Sequence, residues 1–430
     1  MSEASERRSL VEAVVASTIG MTIEWYDFFL YGTAAALIFP DLFFPNHDAF
    51  AAQMYSFGTF TVGFVARPLG GVVFGYLGDR VGRKSTLVAT LLLMGISTLL
   101  IGCLPTYHQV GGLAPLLLVI LRFIQGLGVG GEWGGSVLLA LEYGHKGRRG
   151  FYASWPQAGV PLGLLASTGA LALFKGTLSP ADFADWGWRA PFYLSGLLIA
   201  VGLLIRVRIM ETPLFRELQA SNQLAEAPVS EVIRLHWREI LLAAGARVTE
   251  NACFYLFSAY IISYAKNVLE MDSGVFLVAV NVAAAIEFFT IPLFGIVSDH
   301  LSRKRTYVAG CLFLMAWAFP FFALLQTRDP AWIILAVVLA LAVGHATLYS
   351  VQASLIPELF GTRLRYSGAS LGYQLAAPIA GGTAPLVAVA LAEYFPQQYW
   401  PLAVYIILMS VVSLVSVLLL AETSKKDISE

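Results

Sequence analysis

Residues 75–84 read GYLGDRVGRK, and residues 295–304 read GIVSDHLSRK. Both stretches fit the pattern G-x3-D-x3-R-K, and they lie 220 positions apart. Each is a short charged segment between two long apolar runs. A pattern that recurs at a fixed displacement indicates an internal duplication. We therefore expect two halves that are built in the same way.

Outward from these two segments the chain is strongly apolar. Of its 430 residues, 57% are hydrophobic and 13% are charged, and the mean hydropathy is +0.71. A soluble domain carries about 25% charged residues and could not bury this much apolar surface. The composition excludes an ordinary cytosolic enzyme, a nucleic-acid-binding protein and a disordered chain. The three cysteines lie far apart, so their spacing indicates neither a disulfide framework nor a metal site.

Twelve apolar runs have the length of about 20 residues that a helix needs to cross a bilayer. Helix is expected throughout, because in lipid each backbone polar group must be satisfied within its own segment. The sequence therefore predicts an all-α membrane protein with twelve transmembrane helices in two pseudo-symmetric six-helix bundles. The runs lie at roughly 13–39, 52–77, 86–104, 115–141, 150–174, 189–209, 239–265, 274–297, 306–326, 331–356, 366–392 and 400–421.

Basic residues are distributed unevenly between the two sides of this predicted membrane domain. The side that includes the N-terminus holds 20 of the 27 lysine and arginine residues, and the opposite side holds Lys175, Lys266 and Arg328. Cytoplasmic loops carry an excess of lysine and arginine. We expect a multi-pass protein of a bacterial cytoplasmic membrane, with both termini in the cytoplasm.

The longest polar stretch divides the spans six and six. We predict an N-terminal bundle over residues 1–209, a cytoplasmic linker over 210–238 and a C-terminal bundle over 239–430. Thr212-Pro213 and Ser230-Glu231 look like helix starts, which favours short surface helices within the linker. A featureless tether is the alternative.

Three sequence motifs indicate a particular class of membrane protein. They are EWYDFFLYG at 24–32, RPLGG at 67–71 with its continuation through Arg83-Lys84, and RFIQGLGVGGEWGG at 122–135. With the duplication, they resemble the major facilitator superfamily, and within it the metabolite:proton symporter family of shikimate, α-ketoglutarate, citrate and proline/betaine carriers. One departure is His300, which stands where the first half has Arg80 and predicts a weaker gate in the second half.

Eight ionisable residues fall inside the predicted spans. Charges in lipid are costly, so such residues face the interior of the bundle and mark functional sites. They are Glu24, Asp27, Arg67, Arg122, Glu132, Arg247, Glu250 and Glu287.

The ionisable residues of the first helix and of the fourth predict a proton-coupling site. Glu24, Asp27 and Tyr31 share one face of the first helix, and two carboxylates so close do not both ionise easily out of water. We expect this pair to carry a proton, and the resemblance marks Asp27 in particular. Arg122 stays charged and needs a partner, for which a carboxylate of the first helix is the expected group. Glu132 is assigned to the same site, and a purely structural ion-pair network is the alternative.

A second set predicts the substrate site. Arg67 and Glu287 each lie 12 residues before the aspartate of their half, about 18 Å along a helix. They either bridge the halves or bind an anion or zwitterion. Arg247 and Glu250 either neutralise one another or offer a guanidinium to a substrate carboxylate. The full set of candidates is Tyr31, Arg67, Gln125, Gln157, Arg247, Glu250, Glu287 and Gln374.

Several of these residues have a simpler interpretation. Gln157 and Gln374, 217 positions apart, face the substrate or form hydrogen bonds between helices. His345 is interpreted as a satisfied, neutral buried histidine rather than a titrating group. The resemblance implies a cytoplasmic gate formed by Asp79, Arg83, Lys84, Asp299 and Arg303, and charges that only set the topology are the alternative.

These observations predict a proton-coupled transporter that imports a small organic acid or a zwitterion by alternating access. A proton-independent exchanger or facilitator, and a receptor without transport, are the alternatives. Gly126-x-Gly128-x-x-Gly131 matches a dinucleotide fingerprint but lies inside a membrane helix, so it is rejected. We expect no enzyme activity, cofactor, metal or nucleic acid; the expected partners are the substrate, protons and lipid, and the functional unit is a monomer.

Overall fold

The structure is a computed structural model, and it describes residues 3–81, 83–143, 147–208, 228–361 and 364–426. Within those ranges there is no strand, and twelve long helices follow one another. They are α1 Glu3–Leu37, α2 Ala49–Val81, α3 Arg83–Gly102, α4 Leu113–Tyr143, α5 Arg149–Thr177, α6 Ala190–Arg208, α7 Pro228–Tyr255 with Leu256–Tyr260 and Ile261–Asn267, α8 Ser273–Leu301, α9 Arg303–Gln326, α10 Pro330–Val338 with Leu339–His345 and Ala346–Glu358, α11 Arg365–Ala376 with Ala377–Gly382 and Ala384–Tyr394, and α12 Trp400–Leu419.

The predicted all-α fold with twelve spans is confirmed. Each predicted run falls on one helix, and ten of the described helices are long and apolar enough to cross a membrane. The other two are α1 and α7, the helices that carry Glu24 and Asp27, and Arg247 and Glu250. Their lower apolarity follows from these charges. Residues 210–227 of the predicted linker lie outside the described residues, and α7 leaves helical geometry briefly at His236.

Within each half the six helices pack mainly on one another, and the halves meet where α5 packs on α8 and α2 packs on α11. Inside the first half, α2 and α4 pack very closely. A side chain at Gly126 would overlap the Gly63 carbonyl, and one at Gly130 would overlap the Arg67 carbonyl. Small residues let membrane helices approach in this way. The glycines of α4 therefore serve packing, as expected.

Three helices of the second half contain a π-helical turn, namely Leu256–Tyr260 in α7, Leu339–His345 in α10 and Ala377–Gly382 in α11. Such turns are rare and occur often at functional sites. We call the end of the molecule that carries Arg149, Asp299 and Arg303 the basic end, and the opposite end the far end. That the basic end faces the cytoplasm stays a prediction.

Candidate functional site

Asp27 lies in a neutral environment in the N-terminal half. Its side chain is buried, and Oδ1 accepts a hydrogen bond of 2.5 Å from the hydroxyl of Ser195 on α6. The ion pairs among the described side chains do not include Asp27. A buried carboxyl with neutral partners can take up and release a proton without breaking an ion pair. Glu24, on the preceding turn of α1, is buried as well.

The predicted ion pair between Arg122 and a carboxylate of α1 is wrong for this conformation. Arg122 donates through Nη1 to Oε1 of Gln125, and no carboxylate among the described residues pairs with it. Gln125 donates in turn to Thr98 Oγ1 at 2.7 Å and to the Asp27 backbone carbonyl at 3.3 Å. The amide of Gln125, one turn along α4, thus links the guanidinium to the Asp27 backbone carbonyl of α1.

Arg67 and Arg122 lie in an aromatic cage instead of beside acids. Both side chains are fully buried, and both guanidinium carbons lie 4.1 Å from the centre of the Phe28 ring. Cation–π attraction to these rings offsets part of the free-energy cost of burying a guanidinium without a counter-charge. We call this group the arginine cage. It comprises Arg67, Arg122 and the rings of Trp25, Phe28, Tyr31, Phe60 and Phe64.

Several polar atoms at the arginine cage have no hydrogen-bond partner among the described residues. They are all three guanidinium nitrogens of Arg67, Nε and Nη2 of Arg122, and both side-chain atoms of Asn251. Asn251, on α7, and the ring of Phe64 both border Gly381, so the amide reaches the cage from the other half. Buried polar groups without partners are expensive. The arrangement therefore suits an anionic ligand between the two halves.

The C-terminal half contains a chain of four charged or titratable side chains, which we call the relay. Arg247 Nε lies 3.2 Å from Glu250 Oε2, and Glu250 Oε1 lies 3.3 Å from His345 Nε2. His345 Nδ1 lies 2.5 Å from Glu287 Oε1. None of the four is more than 3% exposed. Arg247 and Glu250 thus neutralise one another, one of the two predicted alternatives.

The structure does not join Arg67 to Glu287, so the bridge between the halves, one of the two predicted alternatives, is not formed in this conformation. Glu287 faces α10 and pairs with His345, whereas Arg67 lies in the arginine cage. His345, interpreted as a satisfied buried histidine, does have hydrogen-bond partners, and both of them are carboxylates. Its two partners come from α7 and α8, which are distant from α10 in sequence, so no local pattern indicates the contact.

Gln157 and Gln374 form equivalent contacts across the two halves. Gln157 on α5 donates to the Tyr349 carbonyl on α10 at 3.3 Å, and Gln374 on α11 donates to the Gly130 carbonyl on α4 at 3.2 Å. Beside them, Trp133 of α4 stacks on Tyr373 of α11 with ring centroids 3.7 Å apart. In this conformation both glutamines serve helix–helix hydrogen bonding, the simpler of the two predicted roles.

Tyr31 and Glu132 are two further candidates from the sequence. The Tyr31 hydroxyl donates to Thr59 Oγ1 at 2.6 Å, and its ring lies under the Arg122 guanidinium. Glu132, on α4, is buried, and Oε2 lies 3.5 Å from the Thr90 hydroxyl of α3. Tyr31 is thus part of the arginine cage, and Glu132 packs against α3.

At the basic end, Asp299 joins the two halves. Its carboxylate accepts hydrogen bonds from the backbone N–H groups of Gly150 at 2.8 Å and Phe151 at 2.9 Å, at the start of α5. Arg303 pairs with Asp299 at 2.7 Å and with Glu358 at 3.3 Å. A carboxylate at a helix N-terminus is stabilised by free N–H groups and by the helix dipole. The side chains of the first-half residues Asp79, Arg83 and Lys84 lie outside those that the structure describes.

Replacement of Asp299 by Asn should open the basic end. Asn cannot pair with Arg303, and removing one partner of a buried pair costs about 3–5 kcal/mol. A single cysteine at Ser154, buried on α5 beside Gly295, should then react with a thiol reagent at least about tenfold faster. His300→Asn, one residue further on the exposed face of α8, is the matched control. Equal labelling rates in all three proteins would contradict a gate at Asp299.

The segment after α12 is tied to the same end. Glu422 accepts hydrogen bonds from the backbone N–H groups of Arg303 and Lys304 at 3.1 Å each, at the start of α9. Partial burial by itself raises the pKa of Glu422, but hydrogen bonds from the backbone of Ser424 and Lys304 prevail and lower the pKa to about 2. Thr423 donates to Glu358 at 2.6 Å. The tail thereby covers the Arg303 cluster.

Glu422→Gln should lower the melting temperature at neutral pH. The folded pKa lies below the unfolded value of about 4.3, so the stabilisation is present above about pH 4.3 and is lost as the pH falls toward 2. The difference between variant and wild type should therefore shrink between about pH 5 and about pH 3. Glu393→Gln, exposed at the far end, is the control. A difference that does not depend on pH would refute this role of the carboxylate.

The far end has a cleft between the halves. It measures about 210 Å³ and is lined by the start of α2, the end of α7 and the end of α11, with Gln53, Tyr260 and Glu393 among its polar groups. The contacts of Asp299 with α5 close the opposite end. The described residues thus show a conformation that is tied at the basic end and indented at the far end.

Twelve long helices around buried charges define the class of multi-pass membrane transporters. The sequence model of the Major Facilitator Superfamily matches residues 18–373, and the chain belongs to this superfamily. It is a transporter of that superfamily and not an enzyme, and the resemblance to its metabolite:proton symporters is confirmed.

Curated relatives match almost the whole chain. The chain is 37% identical over 415 residues to the shikimate transporter of Escherichia coli (strain K12), covering 96% of this chain and 95% of that protein. It is 36% identical over 422 residues to the inner membrane metabolite transport protein YhjE of the same strain, with coverage of 97% and 95%. Among solved structures, the proton:xylose symporter XylE bound to 6-bromo-6-deoxy-D-glucose is similar in fold, with a TM-score of 0.75, 16% identity and coverage of 99% and 98%.

Proposed function

We propose that the protein is a proton-coupled symporter that imports a small organic acid or a zwitterion by alternating access between its halves. The observation that carries the proposal is the buried Asp27, which has a hydroxyl partner and no ion pair among the described side chains. We place the protein in a bacterial cytoplasmic membrane, as a monomer with its basic end in the cytoplasm. The distribution of lysine and arginine and the inner-membrane name of one relative support this location.

The arginine cage favours a substrate that carries a carboxylate. Five guanidinium nitrogens of Arg67 and Arg122 have no hydrogen-bond partner among the described residues, and a carboxylate matches a guanidinium with two parallel hydrogen bonds. Asn251 adds one donor and one acceptor from the other half. Shikimate, for which one relative is named, is a carboxylic acid.

Charge explains why proton and substrate would move together. A proton on Asp27 removes one buried negative charge, and a bound anion compensates the caged arginines. A carrier that holds only one of the two keeps a buried charge without a counter-charge, which is costly in a medium of low dielectric. The fully loaded carrier therefore reorients more easily than a half-loaded one, and the contacts of Asp299 with α5 break during that step.

Purified protein in proteoliposomes under an imposed pH gradient tests the proposal. Shikimate and glycine betaine are the first probes, followed by any metabolite that raises the melting temperature, since a ligand of the folded form stabilises it. A symporter concentrates the probe above its external level. A proton-independent exchanger swaps labelled for unlabelled probe without accumulation, and a receptor shows no flux; either result would reject proton symport.

A further inference from the structure

The hydrogen bonds of His345 require more protons than a neutral imidazole holds. Nδ1 lies 2.5 Å from Glu287 Oε1, and Nε2 lies 3.3 Å from Glu250 Oε1. A neutral imidazole has one N–H and can donate to one carboxylate only. Its other nitrogen would then present a lone pair to an anionic oxygen, which is repulsive. A second proton on the ring turns both contacts into hydrogen bonds.

The net charge of the relay leads to the same result. Arg247 contributes one positive charge, and Glu250 and Glu287 contribute two negative charges. With an imidazolium at His345 the relay is neutral, and with a neutral imidazole and two ionised carboxylates it carries a charge of −1. All four side chains are at most 3% exposed, so water does not screen the excess charge. A buried charge without compensation is strongly disfavoured.

The other neighbours of His345 do not change the net charge around the imidazole. Tyr349, one turn further on α10, stacks on the ring at 4.9 Å, and Phe254 of α7 packs against it at 4.5 Å. On the side of α9, the adjacent Gly344 meets the apolar Phe313 and Leu314. The charged groups that face the imidazole among the described residues are therefore those of the relay. The other titratable groups nearby are Cys253 and Tyr255 on α7, Tyr307 and Cys311 on α9, Tyr349 on α10 and Tyr373 on α11.

The relay ends at the surface where the halves meet. Arg247 donates through Nη1 to the Tyr373 carbonyl at 2.5 Å, and its guanidinium lies over the Tyr373 ring. The Tyr373 ring also stacks on the ring of Trp133, which belongs to α4 of the N-terminal half. His345 itself closes the π-helical turn Leu339–His345 of α10. A change of charge in the relay therefore acts next to contacts that separate when the halves move.

We propose that His345, Glu250 and Glu287 form a proton-binding site in the C-terminal half, distinct from Asp27, with His345 held as the imidazolium. The site binds one proton, and loss of that proton leaves Glu250 and Glu287 to compete for the single positive charge of Arg247. Its part in the transport cycle rests on the proposed symport, whereas the presence of the proton does not.

Nitrogen-15 NMR of labelled histidine in the full-length protein, in detergent micelles, tests the site directly. The chain has six histidines, and His345→Gln identifies the signal of His345 by its loss. We expect both ring nitrogens of His345 to stay protonated from about pH 6 to about pH 8, on both sides of the ordinary histidine pKa of about 6.5. A neutral imidazole at His345 at about pH 7 would overturn the proposal.

Glu287→Gln is the second test, because it removes one negative charge at nearly constant shape. The amide can donate its own N–H to Nδ1, so His345 no longer needs a second proton and should become neutral at about pH 7. His300→Gln is the matched control and should leave the His345 signal unchanged. An imidazolium that persists in both Glu287→Gln and Glu250→Gln would contradict the site. Unaltered spectra of the other histidines show that each variant is folded.

The outcomes separate this site from the proposed function. Asp27→Asn should leave the His345 signal unchanged, because the two sites lie in different halves. Imidazolium at His345 in a protein that shows no proton-driven flux would reject symport and keep the site. A neutral His345 in an active symporter would reject the site and keep symport.

Discussion

Asp27→Asn abolishes accumulation driven by a pH gradient and leaves exchange of labelled for unlabelled substrate partly intact. The amide keeps the size of the side chain and can still hydrogen-bond to Ser195, but it cannot bind and release a proton. The substrate site and the movement of the two halves remain. Uptake into proteoliposomes with an imposed pH gradient, compared with counterflow in the same vesicles, measures the two activities separately.

The matched control is Asp185→Asn, the same substitution at an exposed position near the far end. It should leave both activities unchanged. Full uptake driven by the pH gradient in Asp27→Asn would exclude this carboxyl from proton coupling. Ser195→Ala, which removes one hydroxyl donor to Asp27, should shift the pH at which uptake is half-maximal and preserve counterflow.

Arg67→Lys should reduce both accumulation and exchange by about 100-fold or more. Lysine keeps the positive charge but lacks the planar pair of donors, and loss of a partner in a buried charged contact costs about 2–5 kcal/mol. Stabilisation of the purified variant by shikimate, or by the substrate found in the metabolite panel, should be lost as well. The pattern differs from that of Asp27→Asn, in which exchange survives.

Arg305→Lys, exposed at the basic end, is the matched control for this substitution. It should transport and bind as the wild type does. If Arg67→Lys is folded and still exchanges substrate at the wild-type rate, Arg67 does not bind the substrate. Its place in the aromatic cage is then a structural feature of α1 and α2.

The sequence is sufficient to predict the fold because its determinants are periodic or repeated. Apolar runs of membrane length, the two G-x3-D-x3-R-K segments and the distribution of basic residues require no knowledge of contacts. The burial of the ionisable residues also follows, since every charge inside a span must face the protein interior. Each of the predicted intramembrane residues is buried in the structure.

The partners of those residues cannot be predicted in the same way, because they depend on how helices face one another. An acid is expected beside Arg122, which contacts Gln125 and aromatic rings instead. A bridge between Glu287 and Arg67 is one of two alternatives that the sequence leaves open, and Glu287 pairs with His345, on a helix of its own half.

The residues that sequence reasoning missed are mostly aromatic or uncharged, and neither their type nor their spacing distinguishes them from ordinary packing. His345 differs, because a buried histidine is visible in the sequence although its two carboxylate partners are not. The missed residues are Trp25, Phe28, Phe64, Trp133, Ser195, Asn251, Tyr349 and Tyr373.

The most direct test of proton symport is proton movement driven by substrate alone. Proteoliposomes that contain the wild-type protein and a pH-sensitive dye are prepared without any initial pH gradient, and the transported substrate is then added outside. Symport predicts that the interior becomes acidic as substrate moves in, and that Asp27→Asn vesicles show no such change. Influx of substrate into wild-type vesicles at constant internal pH would contradict proton coupling.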